Sequence, residues 1–238
     1  MSQLPERYYS VSYKTFFHER IKPVIFQGRE TQPLYLQVTF DRKTTLFKSY
    51  YFDVFSQPKY DFLGITLSQI EEMEMRAIEA TLRHYERLSS VTDLVQAYKV
   101  LCVDLLDLYD GHFKVWLADR FLEEGLPGLA ALVRRDPESV MGIQLWDDLK
   151  KCLDPELFAR LERKGIHKGE TPYLCLAIYV RGKTPDKPFY LPLHEWKSDK
   201  KQVEIEFYLD GLYGSVDMGR VIRELGPLFK PGFRFHRL

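Results

Sequence analysis

The chain has 238 residues, 45% hydrophobic and 29% charged, which is enough to bury a core without disulfide staples. Its 34 Lys and Arg balance 34 Asp and Glu, so overall charge points to no polyionic partner. Cys102, Cys152 and Cys175 are scattered and give neither a disulfide framework nor a zinc-binding CxxC pair. The opening "MSQLPERYYS" lacks an apolar signal core, and no segment has the apolar length to cross a bilayer. A cytoplasmic protein with no membrane partner is expected.

The distribution of charge says more than its total. Residues 1–62 hold nine Lys and Arg against six Asp and Glu; residues 63–165 hold 13 against 19; residues 166–238 hold 12 against nine. Two mildly basic ends flank an acidic middle. These blocks coincide with changes in hydrophobic pattern, and three domains are expected: 1–62, 63–165 and 166–238.

Residues 8–55 are rich in Tyr, Phe, Val and Thr and read as strands. "KPVIFQGRETQPLYLQVTF" places a Gly-containing turn between two apolar runs. "PLYLQVTFDRKTTLFKSYYFDVF" then reads as a long hairpin. Leu34, Leu36, Val38 and Phe40 alternate onto one face. With Arg42 and Lys43 at the tip, Phe40 would pair with Thr45 and Val38 with Phe47. The first face would then add Thr45, Phe47, Ser49 and Tyr51. The opposite face would collect Tyr35, Gln37, Thr39, Leu46, Lys48 and Tyr50. One face is built to bury; the other is polar, aromatic and basic.

The middle reads as helices. Ser68 and Glu71 have capping-box spacing, and Ile70, Met73, Ala77, Thr81, Tyr85 and Leu88 form a stripe. Thr92 is a cap for a second helix whose stripe runs to Tyr109 and stops at Asp110-Gly111. A third helix carries Phe113, Trp116, Leu117 and Phe121 to Gly125. Asp136-Pro137 and Asp154-Pro155 each announce a further helix. The final block returns to strands, with "YLCLAIYV", "FYLPLHEW" and "VEIEFYL" as three candidates and a last helix capped by Ser215. The fold class expected is α+β: an N-terminal antiparallel β-sheet, an acidic helical middle, and a C-terminal unit of three strands and a helix.

Motifs for common chemistries are missing. No P-loop, GxGxxG after a strand, GxSxG or HExxH occurs, and none of the six histidines lies at ligand spacing from a cysteine. No cofactor is therefore expected. One catalytic pattern stays open. A helix followed by three strands, a helix and a strand is the order of the restriction-type nuclease core. Asp186 precedes the second candidate strand, and Glu204-x-Glu206 would point two acids to one face of the third. Together Asp186, Glu204 and Glu206 could hold Mg²⁺ for phosphodiester hydrolysis. The alternative for the same residues is a turn and the solvent face of an amphipathic strand.

In the hairpin, Val38, Thr39, Asp41, Arg42, Lys43 and Phe47 stand at comparable places to the strand pattern "hydrophobic-R-V-T-x-[DN]-[RG]-K-x-x-x-F". About residues 20–90 resemble the N-terminal arm-binding region of tyrosine recombinases from Bacteroidetes-type mobile elements. The catalytic residue pattern of that family is not recognisable downstream, so the resemblance implies a DNA-facing sheet in an accessory protein of a mobile genetic element, not a recombinase. Three functions are weighed. The leading one is non-enzymatic nucleic-acid binding in an accessory or regulatory role, through Arg42, Lys43, Lys48, Tyr35 and Tyr50. The others are a metal-dependent nuclease and a protein-interaction subunit with a protein partner.

Overall fold

The computed structural model describes residues 11–57, 60, 64–84, 88, 90–135, 140–183, 189–196 and 199–225. The chain divides into two compact units, Met1–Val103 and Asp104–Leu238, with the boundary inside the block whose composition is acidic and helical. The class is mixed α+β, with an N-terminal antiparallel sheet of three strands.

Strands β1 (Val11–Phe17), β4 (Leu34–Phe40) and β5 (Lys43–Lys48) form that sheet in the order β1-β4-β5. A separate ribbon joins β2 (Val24–Phe26) to β3 (Arg29–Thr31) through Gln27-Gly28. The hairpin β4–β5 pairs Phe40 with Lys43, Val38 with Thr45, and Leu36 with Phe47. This is two residues from the expected register. The tip is Asp41-Arg42, with φ of 46° and 64°, a two-residue turn of the kind that matches strand twist. Because side chains alternate with period two, a shift of two leaves every side chain within β4 and β5 on its expected face.

The strand reading fails after Ser49. Residues Tyr50–Phe55 form helix α1, not a continuation of β5. The reason lies far away in sequence. Three first-turn amides find side-chain acceptors: Tyr50 N–H donates to the Tyr98 hydroxyl (3.2 Å), Tyr51 N–H to Glu74 (3.1 Å) and Phe52 N–H to Ser49 Oγ (2.9 Å). These are groups a helix start must otherwise leave to solvent. Helix α2 (Leu67–His84) carries Glu74, and α3 (Val91–Leu101) carries Tyr98. The α2 cap is the reciprocal Thr66–Gln69 pair rather than Ser68–Glu71, and α3 is capped by Ser90 rather than Thr92.

Helix α3 packs against β4 and β5, and α1 packs on α2 beside it. Leu34, Leu36, Val38, Phe40 and Phe47 of the sheet are buried, as are Tyr51, Phe52, Ile70, Leu94 and Tyr98 of the helices. Phe47 meets the Tyr98 ring at 5.2 Å between centroids. Tyr13 and Thr15 on β1 donate to Glu79 and Glu71 of α2 (3.1 and 2.7 Å).

The second unit is helical among its described residues. It holds α4 (Leu105–Glu123), α5 (Pro127–Arg135), α6 (Gly142–Cys152), α7 (Pro155–Glu162), a π-helical turn at Arg163–His167, α8 (Pro172–Lys183), α9 (Leu193–Trp196), α10 (Asp199–Tyr213) and α11 (Met218–Leu225). The expected helix end at Asp110-Gly111 is instead the interior of α4; the break falls at Cys102–Asp104, where Asp104 caps α4. Asp154 caps α7 with Pro155 in the first turn, as expected. Asp136-Pro137 lies outside the described residues. Asp217, not Ser215, caps α11.

The three C-terminal strands are not found. "YLCLAIYV" lies in α8, which is buried from Pro172 through Val180. A short run that is apolar on all sides suits an enclosed helix as well as an enclosed strand. "FYLPLHEW" makes a single bridge, Pro192 with Asp104, before α9 begins; proline within the run removes a donor that a ladder needs. "VEIEFYL" lies in α10, where Ile205 and Leu209, one turn apart, are buried.

Candidate functional site

The open face of the β1-β4-β5 sheet gathers aromatic, polar and cationic side chains into three cross-strand rows. The pairing sets Phe16, Tyr35 and Lys48 side by side, then Lys14, Gln37 and Leu46, then Ser12, Thr39 and Thr44. Lys14, Leu46 and Lys48 are exposed, while Phe16, Tyr35 and Gln37 are half-buried. Beyond the last row stands exposed Arg42 at the tip.

The first row is an aromatic cluster. Phe16 and Tyr35 have ring centroids 6.2 Å apart, and His18 completes the group at 5.1 Å from Tyr35 and 6.1 Å from Phe16. The rings are tilted to one another, so they present a faceted rather than a flat surface. In the third row the hydroxyls of Thr39 and Thr44 share a 2.8 Å hydrogen bond. Lys48 forms an ion pair with Asp53 of α1, both about half exposed. Lys14, Arg42 and Lys43 form no ion pair among the described residues.

Of the residues singled out from sequence, Tyr35 and Lys48 are direct cross-strand partners, and Arg42 is at the tip. Lys43 is exposed but pairs with Phe40, which turns it toward the covered side of the sheet. Tyr50 is not on the open face: it opens α1, with its ring at right angles to Tyr51. Lys14, Phe16 and His18 were not singled out. The alternation Ser12, Lys14, Phe16 in "VSYKTFF" carried that information, but only pairing with β4 places it on this face.

A second polar cluster lies beneath the sheet. Glu74 is buried and accepts hydrogen bonds from the Ser49 and Tyr98 hydroxyls and from Tyr51 N–H. Burial outweighs these donors and pushes its carboxyl up to about 7. Burial, with Glu74 nearby, likewise raises the Tyr98 phenol and the Cys102 thiol. This cluster is closed to solvent and serves the turn from β5 into α1.

Of the acids in the nuclease reading, Glu204 and Glu206 do not share a face. Asp186 lies outside the described residues. Glu204 and Glu206 are on α10, where residues two apart point roughly 200° away from each other around the axis. Glu204 accepts from the Tyr179 hydroxyl (2.7 Å) and pairs with Lys201 (3.1 Å), which hold its carboxyl below the ordinary range. Glu206 is exposed. Among the described residues no three His, Cys, Asp or Glu side chains gather to hold a metal ion, and no helix is long and apolar enough to cross a membrane. No protein-family model, curated protein or solved structure matches the chain.

Proposed function

We propose that the protein binds nucleic acid without catalysing a reaction on it, in an accessory or regulatory role, and that the open face of the β1-β4-β5 sheet is the contact surface. The observation that carries this reading is the cross-strand row Phe16–Tyr35–Lys48, with Lys14 in the next row and Arg42 beyond. Cations set among aromatic side chains suit a polymer with charged phosphates and flat bases. Arg42 supports it independently. It occupies a left-handed turn position with φ of 64°, where Gly or Asn is favoured, and an ordinary side chain costs about 1–2 kcal/mol. A long cation held at such a cost fits a functional tip. The interaction-subunit reading would rest on exposed apolar side chains of the helical unit, such as Val203 and Phe207 one turn apart on α10 and Val115 and Leu122 on α4; neither pair by itself supplies the area that a stable interface buries.

The test is a salt titration of binding to oligonucleotides. Three phosphate contacts, from Lys14, Arg42 and Lys48, predict a log–log slope of about −2 on single strands. The variant Lys14→Ala, Arg42→Gly, Lys48→Ala should lose at least about tenfold in affinity at low salt and most of the slope. Arg42→Gly alone should melt no lower than the parent, because glycine relieves the turn. Lys43→Ala should change affinity least of the four. Absence of binding by the parent at low salt would refute the reading.

A further inference from the structure

Resting on that reading, we infer that the ligand is an unpaired strand, with bases stacked against the Phe16–Tyr35–His18 cluster and phosphates running along Lys48, Lys14 and Arg42. The layout of the face argues for this class over a duplex. Its aromatic end and its cationic tip are separated by the length of β4, on the order of 20 Å at about 3.4 Å per residue. Lys14 lies between them, so cations recur along the whole length rather than in one patch. A duplex hides the flat surfaces of its bases inside the stack and offers only base edges in its grooves. Three aromatic rings at one end would then have no ring to meet. An unpaired strand exposes its base faces, and stacking on aromatic side chains tolerates any base.

The middle row fits the same ligand. Leu46 is 53% exposed, next to Gln37 and across the sheet from Lys14. An exposed leucine flanked by a carboxamide offers an apolar rest for a second base and hydrogen bonds for its edge. Thr39 and Thr44 extend the polar line toward the tip. The row order is thus stacking, mixed, hydroxyl, cation, and a strand lying along β4 would meet each in turn.

The experiment uses the full chain and three probes of equal length, about twelve nucleotides: oligothymidylate or oligouridylate, the same backbone made abasic, and a duplex. Binding to the base-bearing strand should exceed binding to the abasic strand by roughly five- to hundredfold for each stacked base. Tyr35→Leu keeps an apolar side chain at that position. It should erase most of this base-dependent advantage while leaving the salt slope unchanged. A 2-aminopurine in the strand should lose fluorescence on binding to the parent and keep it with Tyr35→Leu. Equal binding to abasic and base-bearing strands would overturn the inference and leave phosphate binding standing. So would preference for the duplex. No binding to any probe, or self-association that covers this face with a second copy, would overturn both the inference and the function it rests on.

Discussion

Strand β4 and helix α8 are the most enclosed apolar segments of their respective units, and they dispose of their side chains in opposite ways. β4 sends Leu34, Leu36, Val38 and Phe40 inward and leaves Tyr35, Gln37 and Thr39 partly in solvent. α8 buries every residue from Pro172 to Val180. A sheet covered on one side keeps half of its side chains available for another molecule; an enclosed helix keeps none. Recognition chemistry is therefore expected on the first unit's sheet, where a rigid scaffold supplies a second face at no cost to the core. The direct test is substitution. Leu36→Ala on the inner face and Leu176→Ala in α8 should each lower unfolding stability by about 2–5 kcal/mol in a urea melt. Leu46→Ala, on the same sheet but the open face, should stay within about 0.5 kcal/mol. A large loss at Leu46 would show that the second face is structural as well.

The two units are alike in one respect, and pH separates it from their differences. Each encloses an acid that no Lys or Arg pairs with among the described residues: Glu74 in the first, Asp104 in the second. Asp104 accepts from Leu106 and Leu191 amides (both 3.0 Å), yet burial pushes its carboxyl up to about 7, as it does that of Glu74. A raised carboxyl binds its proton more tightly folded than unfolded. Stability therefore falls as pH rises from about 4 through 7, and levels off above. Each acid contributes roughly 3–4 kcal/mol to this fall, by the separation of its folded and unfolded values. Glu74→Gln should flatten the decline for the first unit and Asp104→Asn for the second, read as denaturant midpoints at pH 5 and pH 8. Retention of the full decline in both variants would place the titrating groups elsewhere.

The same contrast explains what could be read in advance. The inner and outer faces of β4 follow from alternation alone, and they survived a register error of two residues because faces repeat every two. The end of β5 did not follow, since α1 begins at Tyr50, where Glu74 and Tyr98 from distant helices join the Ser49 cap in accepting its first amides. "VEIEFYL" alternates as a strand would, yet it lies in a helix that buries Ile205 and Leu209 and leaves Phe207 82% exposed. Packing around α10 outweighed the pattern. The open-face cluster was half legible: Tyr35, Arg42 and Lys48 lie in one hairpin, whereas Lys14, Phe16 and His18 join them through a pairing between segments about twenty residues apart.

The smallest expected effect concerns Lys48, the one cation of the open face with an ion-pair partner among the described residues. Asp53, in the first turn of α1, pairs with it. A phosphate reaching Lys48 must compete with that carboxylate. Asp53→Asn should therefore tighten oligonucleotide binding at low salt, by the worth of an exposed ion pair: about 0.2–1 kcal/mol, or roughly 1.4- to fivefold. The gain should fade as salt is raised, since both competitors are screened together. Loss of an acid near a helix start also costs about 0.3–1 kcal/mol of stability, so binding is measured well below the melting range. The decisive comparison is a double-mutant cycle with Lys48→Ala. If Asp53 acts by occupying Lys48, its removal should do little once Lys48 is gone. Equal tightening in both backgrounds would mean that Asp53 only adds negative charge near the face, and that Lys48 is no phosphate ligand.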